Sequence, residues 1–266
     1  MSVSPRDRSL LITCGALLLV AVLAHVYYLL GGETAFWIVV TVAMAAFCFV
    51  SCMHLMGRSA ALWFLAIGVT LGLFFETLSV HTGFPFGPYC YTPVFGPGVF
   101  GVPYIIPLAW YVIVYLSFII ANLMVEHRPI VHGSVAQAVW LSLIGAAVVT
   151  AYDLSLDPFM VTRVRAWVME NPGSYFGEQY RGFAGWMLTS FLISVTFRLT
   201  QRQGQPTPTT IPPLAAAYPV AAYGLWCVFF AFAGEPPATR AIAVFAMGIP
   251  TLTAISGFAK WKQAKA

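Results

Sequence analysis

The chain contains eight runs of about 20 mostly apolar residues, the length that an α-helix needs to cross a membrane. The runs are 9–30, 35–56, 60–80, 103–125, 134–152, 183–201, 213–233 and 238–258. Lipid offers backbone N–H and C=O groups no partner, so such runs fold as helices. The sequence therefore predicts an all-α, polytopic integral membrane helical bundle of about eight transmembrane helices, forming one domain over 1–266. Pro250 is expected to kink the last helix.

Charged residues are too few for a protein surrounded by water. Lys, Arg, Asp and Glu make up 8% of the chain and hydrophobic residues 60%, whereas soluble domains carry about 25% charged residues. The 13 Lys and Arg are spread along the chain and form no stripe that could follow a phosphate backbone. This composition excludes a soluble enzyme, a disordered protein and a nucleic-acid-binding protein, and it indicates membrane lipid as the surroundings.

The positions of Lys and Arg predict the orientation of the chain. With eight spans and the N-terminus inside, nine of these 13 residues lie in cytoplasmic segments and four in outer segments, which follows the positive-inside rule. The first apolar run is longer than the core of a signal peptide, so we expect it to be retained as a helix. We expect a multi-pass protein of the inner (plasma) membrane with cytoplasmic N- and C-termini.

Two connections are longer than the others, and both lie on the outer side in this topology. Residues 81–102 are rich in Gly and Pro and contain no Lys, Arg, Asp or Glu, which suits neither a solvated loop nor a helix. We expect a re-entrant-like loop that folds back against the bundle and lines a cavity. In the connection 153–182, residues 156–169 are predicted to form an interfacial helix anchored by Trp167. Residues 202–212 have the composition of an exposed linker.

Three carboxyl groups stand at the outer ends of predicted spans, where charges are rare and usually functional. Glu76 lies about one turn before the third run ends, and partial desolvation there favours a neutral carboxyl that can act as a general acid. Asp153 and Asp157 are four residues apart, so a helical turn places them on one face, where two carboxyls suit paired acid and base roles. The alternative for all three is a purely structural role.

His81 follows Glu76 by five residues and could relay a proton or orient a water molecule. The alternative is a histidine bonded to a backbone carbonyl. These residue types can bind metals, but their spacing matches no metal motif, so we expect no metal site. No cofactor is indicated either. The GxGxxG match at 96–101 stands outside any strand–helix unit that could hold a dinucleotide.

Aromatic residues make up 15% of the chain, and several fall in or beside the two long connections. The residues that we expect to bind a substrate are Tyr89, Tyr91, Trp110, Tyr152, Tyr175, Phe183 and Trp186. Aromatic faces stabilise cations, and apolar walls bind apolar ligands. The alternative is an ordinary belt of Trp and Tyr at the membrane interface.

These segments resemble a known family. The stretches ETLSVHTGFPFGPYCY, VPYIIPLAW, DLSLDP and SYFG…FAGW are similar to the bacterial and archaeal carotenoid hydratases of the bisanhydrobacterioruberin hydratase and carotenoid 1,2-hydratase type, over roughly residues 60–190. The matching positions are Glu76, Gly83, Phe86, Gly87, Tyr89, Tyr91, Asp153, Asp157, Pro158, Tyr175, Gly177, Phe183, Gly185 and Trp186. Gln179 and Gly182 stand where the family pattern leads us to expect Pro and Asn, which leaves the choice of substrate open.

The resemblance implies a hydro-lyase that adds water across the terminal double bond of an acyclic carotenoid end group. A neutral carboxyl, Glu76 or one of the two aspartates, would protonate the double bond, and aromatic faces would stabilise the tertiary carbocation. The remaining carboxylate or His81 would accept the proton of the attacking water. The implied partners are an acyclic carotenoid, water and membrane lipid, with other carotenoid-pathway enzymes as candidate associates.

Other classes of function stay open from the residues alone. A carotenoid or isoprenoid cyclase would use the same acid and aromatic slot, but would lose a proton instead of capturing water. A lipid or ion-coupled transporter could use Glu76 and the broken 81–102 segment as its site. A structural subunit of a pathway complex would need no chemistry at all.

Overall fold

A computed structural model describes residues 4–33, 36–201 and 211–264. Within these residues, eight helical segments are long and apolar enough to cross a membrane. The helices are α1 (Pro5–Leu29), α2 (Phe36–Met56), α3 (Arg58–Thr82), α4 (Ile105–Glu126), α5 (Val135–Phe159), α6 (Tyr180–Gln201), α7 (Pro213–Ala233), α8 (Ala238–Ala246) and α9 (Gly248–Gln263). The predicted all-α polytopic bundle is confirmed. The predicted linker 202–212 lies outside the described residues except for its last two positions.

The eighth span consists of α8 and α9, which are separated at Met247. Pro250 explains this break, because proline has no backbone N–H to donate to the carbonyl four residues earlier. That carbonyl belongs to Ala246, where α8 ends. The break thus lies three residues before Pro250, in the span for which a kink is predicted.

The fifth span is longer than predicted. α5 continues through both aspartates to Phe159, and a π-helical turn follows at Met160–Val164. The predicted interfacial helix 156–169 is wrong, because its first half extends α5 and its end forms a short strand, Trp167–Met169. Hydropathy falls at Asp153, but the helix continues because its polar side chains are buried against the protein instead of facing lipid.

Residues 81–102 fold back against the bundle, as predicted, and contain short strands. These are β1 (Tyr89–Tyr91), β2 (Gly98–Val99) and β3 (Val102–Pro103), and β4 is the strand Trp167–Met169. β1 pairs antiparallel with β4, and β2 with β3. The first pairing joins the two long connections of the chain and thereby builds the wall of the site described below.

α4 is the central helix of the bundle, and its side chains are buried along most of its length. α3 packs closely on it because two glycines, Gly68 and Gly72, leave room for the facing side chains. A Cβ atom at Gly72 would lie 2.8 Å from the Cβ of Trp110, which is closer than real contacts allow. This close approach brings Trp110 within reach of Glu76, one turn further along α3.

We expect the Gly72→Ala variant to be less stable by about 1–2 kcal/mol, because the added methyl group overpacks the helix contact at the root of the Trp110 side chain. Thermal unfolding of the purified protein in detergent measures this change. Gly145→Ala is the matched control: its Cβ would have 3.7 Å to the nearest atom, so we expect no loss, and a gain in helix propensity of up to about 1 kcal/mol. Equal effects of both changes would contradict the packing argument.

Candidate active site

Glu76 receives hydrogen bonds from three donors. Its side chain is only 5% exposed. Trp110 Nε1 donates to Oε1 at 2.7 Å, and the Tyr91 hydroxyl donates to Oε2 at 2.7 Å. The Tyr89 hydroxyl also donates to Oε2. Three donors directed at one carboxyl group favour its ionised form and offset part of the cost of burying a charge there.

The two tyrosines reach Glu76 because of the pairing of β1 with β4. Tyr89 stands opposite Met169 and Tyr91 opposite Trp167. Alternate residues of a strand point to the same face, so these four side chains all point toward the cavity. Burial, followed by the nearby charge of Glu76, raises the pKa of both tyrosines well above the usual 10. Both hydroxyl groups therefore keep their protons and act as donors.

Asp153 and Asp157 lie one turn apart on α5 and are both buried. Both carboxyl oxygens of Asp153, and Oδ1 of Asp157, receive no hydrogen bond from any other described residue, but the two carboxyls lie close enough to share a proton with each other. Asp157 reaches the cavity wall, whereas Asp153 is one turn deeper in the helix. The described residues thus bury a carboxyl pair that receives no donor to these atoms from outside the pair, in contrast to Glu76.

Pro158 explains how the end of α5 is attached to the rest of the site. Because proline has no N–H, the carbonyl of Leu154 receives no helical hydrogen bond from this position. The Tyr175 hydroxyl donates to that carbonyl instead, at 2.9 Å. Phe183 packs edge-on against Tyr175, with ring centroids 5.0 Å apart. The Tyr175 hydrogen bond, supported by the packing of Phe183, thus holds the 165–179 segment against α5 near Asp157.

Glu178 is a buried carboxyl that the sequence analysis did not identify. It is 1% exposed. Trp167 Nε1 donates to Oε1 at 3.4 Å, while Oε2 has no partner within the described part of the chain. Burial raises the pKa of Glu178 to about 7, against the opposing effect of the Trp167 hydrogen bond. No local signal marks this residue, because a glutamate in a connection is ordinarily solvated and only the folded segment buries it.

Glu76, Asp157 and Glu178 line one cavity whose other walls are mainly apolar. Small-molecule sites are likewise mainly apolar with a few polar groups. Trp110 lies against Trp186, with ring centroids 4.3 Å apart, and is stacked on Phe86 at 5.8 Å. The cavity therefore combines aromatic faces with buried carboxyl groups.

The structure brings most of the predicted site residues together. The predicted residues that line the cavity are Glu76, Asp157, Tyr89, Tyr91, Trp110, Tyr152 and Trp186. Tyr175 and Phe183 are not among the residues that line the cavity. His81 is exposed, and its Nδ1 lies 2.8 Å from the Thr77 carbonyl oxygen, so it corresponds to the backbone-bonded alternative. Lining residues that the sequence analysis did not propose as site residues include Trp37, Phe86, Trp167, Glu178 and Trp226.

The fold and site define a class: a polytopic membrane protein with buried carboxyl groups in an aromatic-lined cavity. The family described as carotenoid biosynthesis protein matches residues 32–250, and the chain belongs to this family. A relative named bisanhydrobacterioruberin hydratase, from Haloarcula japonica, is 28% identical over 123 residues. This stretch covers 46% of the chain and 39% of that relative. No solved structure matches the chain. The family and this relative support a carotenoid-modifying role.

The raised pKa of Glu178 predicts a pH-dependent stability. Because the folded-state pKa is about 7 and the usual value is 4.5, the folded protein keeps a proton that the unfolded chain releases between these values. Glu178 therefore lowers the stability of the fold as pH rises, by at most about 3 kcal/mol between roughly pH 5 and pH 8. We therefore expect the difference in stability between Glu178→Gln and the original protein to shift in favour of the variant as pH rises over this range. Thermal unfolding at several pH values measures this difference.

The control is Glu170→Gln, which changes an exposed carboxyl in the same connection. Its stability relative to the original protein should show no comparable pH trend. A Glu178→Gln difference that stays constant with pH, or that shrinks as pH rises, would contradict the assignment of a buried and easily protonated carboxyl.

Proposed function

We propose that this protein is a carotenoid hydratase that adds water to the terminal double bond of an acyclic carotenoid end group. The observation that carries the proposal is the placement of three carboxyl groups, Glu76, Asp157 and Glu178, on the wall of an apolar, aromatic-lined cavity inside a membrane bundle. Membership of the carotenoid biosynthesis family supports a carotenoid substrate, and the name of the Haloarcula japonica relative, a hydratase, supports hydration.

Asp157 is the proposed acid. Two buried carboxylates one turn apart repel each other, and burial disfavours two charges at once, so the Asp153–Asp157 pair favours a state in which one carboxyl keeps its proton. Asp157 is the member of the pair that reaches the cavity. No donor among the described residues ties up its Oδ1.

The first step transfers the Asp157 proton to the terminal CH carbon of the double bond. The π electron pair forms the new C–H bond, and the neighbouring carbon, which bears two methyl groups, becomes a tertiary carbocation. The faces of Trp110 and Trp186 stabilise this positive charge, as does the Glu76 carboxylate, which its three donors hold in place before the charge develops.

The second step is the attack of water on the carbocation. A lone pair of the water oxygen forms the C–O bond, and the extra proton passes to Glu178, the proposed base. With a pKa of about 7, this carboxyl is ionised in a large fraction of molecules near neutral pH. Return of the proton to the aspartate pair completes the cycle, so the sum is substrate plus water with no oxidation or reduction.

A cyclase would share the first step but would form a carbon–carbon bond and then lose a proton. The product mass separates the two reactions, because cyclisation leaves the mass unchanged.

We also propose that the protein lies in the inner membrane with both termini cytoplasmic, since an even number of spans among the described residues and the distribution of Lys and Arg favour this orientation.

Expression of the chain in bacteria that make an acyclic carotenoid should convert the pigment into one that is heavier by one water per hydrated end group. Mass spectrometry of the extracted pigments measures the change, and a derivatisation that distinguishes tertiary alcohols identifies the hydroxyl group. Unchanged pigment mass across several acyclic carotenoids, with the protein present in the membrane, would contradict the proposal.

Substitution of the carboxyl groups tests their roles. We expect Asp157→Asn and Glu76→Gln each to lower the rate of product formation by roughly 10²–10⁴-fold, the range associated with loss of acid–base or electrostatic catalysis. Rates are measured in membranes with equal amounts of protein. Glu170→Gln, which removes an exposed carboxyl away from the cavity, should leave the rate unchanged. A near-normal rate in Asp157→Asn would rule out this residue as the acid.

A further inference from the structure

A second pocket lies at the opposite end of the bundle from the carboxyl groups. It stands where α2 and α6 end and α5 begins. α4 contributes to both cavities, and its nearest lining residues are Ile113 in the first and Phe118 in the second. These residues are five positions apart, or about 7.5 Å along the helix, and the two pockets share no lining residue.

The feature of interest in this pocket is a buried cation, Arg198, on the last turn of α6. The residue is 6% exposed. Its guanidinium carbon lies 3.8 Å from the ring centroid of Phe118. Nε and Nη2 have no hydrogen-bond partner among the residues that the structure describes. No Asp or Glu is among the described residues that line the pocket.

Contacts within the protein supply only some of the hydrogen-bond acceptors and negative charge that the buried Arg198 guanidinium requires. The Phe118 ring attracts the positive charge but accepts none of the in-plane N–H groups. The carbonyl ends of α6 favour a cation, but this effect is smaller than the cost of burying an unpaired charge. Glu126, the acidic residue that precedes the lining segment 130–133 in the sequence, accepts a hydrogen bond from Gln137, and Arg198 is in neither of the ion pairs found among the described residues. Arg198 therefore lacks an anionic partner among the described residues.

We propose that this pocket binds the phosphate group of a membrane phospholipid, with Arg198 as its principal ligand. A guanidinium group offers a planar pair of donors that matches phosphate oxygens. The remaining walls are mainly apolar, with Met56, Ile130 and Leu141 among them, which suits the hydrocarbon part of an amphiphile. The pocket also lies at an end of the spanning helices, which is the depth at which lipid headgroups meet a membrane protein.

Thermal unfolding of the purified full chain in detergent tests the proposal. Phosphatidylglycerol, inorganic phosphate and diacylglycerol are titrated separately. We expect phosphatidylglycerol to raise the unfolding temperature in a saturable manner. Arg198→Met should weaken binding and so raise the phosphatidylglycerol concentration at half-saturation by roughly tenfold to a hundredfold. Diacylglycerol, which lacks phosphate, should give no saturable shift. An equal shift with inorganic phosphate would support the phosphate site but assign it to free phosphate.

Arg58→Met is the matched control, because it removes an exposed arginine at the same end of the bundle, and it should keep the original half-saturation. Arg198→Lys keeps the charge but loses the planar donor pair, so intermediate binding is expected, and this variant serves if Arg198→Met does not fold. For each variant, the unfolding temperature with lipid is compared with that of the same variant without lipid, so differences in stability between variants do not enter the measured shift. Undiminished binding in Arg198→Met, or a saturable shift with diacylglycerol, would overturn the proposal.

Discussion

A carboxyl group buried inside a membrane protein has no water to form hydrogen bonds with, and the rest of this site depends on how the protein supplies those hydrogen bonds. Glu76 is satisfied by donors from two separate parts of the chain: Tyr89 and Tyr91 from the folded-back connection, and Trp110 from α4. The close approach of α3 and α4 at Gly72 brings the indole into reach. The connection 81–102 is thus held in place partly by the carboxyl group that it surrounds.

The buried carboxyl groups around the cavity are not equivalent, because they differ in the hydrogen bonds that they receive. Glu76 has a full set of donors, the Asp153–Asp157 pair has almost none, and Glu178 has one long hydrogen bond. Environments that differ in this way separate the protonation states of otherwise similar acids, which allows one to donate a proton while another accepts it. Tyr175 contributes by holding the connection against α5 at the proline, beside Asp157.

The eight spans were predictable from the sequence because lipid leaves the backbone of an apolar run no alternative to a helix. The end of α5 was not, because hydropathy falls at Asp153 even though the helix continues with its carboxyl groups facing protein. Glu178 was missed for another reason: it is buried by a segment that the pairing of β1 with β4 anchors, and three-residue strands leave no usable pattern in a sequence. The extension of α3 to Thr82 keeps His81 on the helix surface, bonded to its own backbone.

The most direct test of the central claim is the isotope content of the product that the purified protein forms from an acyclic carotenoid. The reaction is run once in deuterium oxide and once in water labelled with oxygen-18, and the product masses are compared. Protonation followed by water capture predicts one carbon-bound deuterium and one solvent oxygen for each modified end group. A product that gains deuterium without oxygen, or a hydroxyl group whose oxygen does not come from water, would contradict the account.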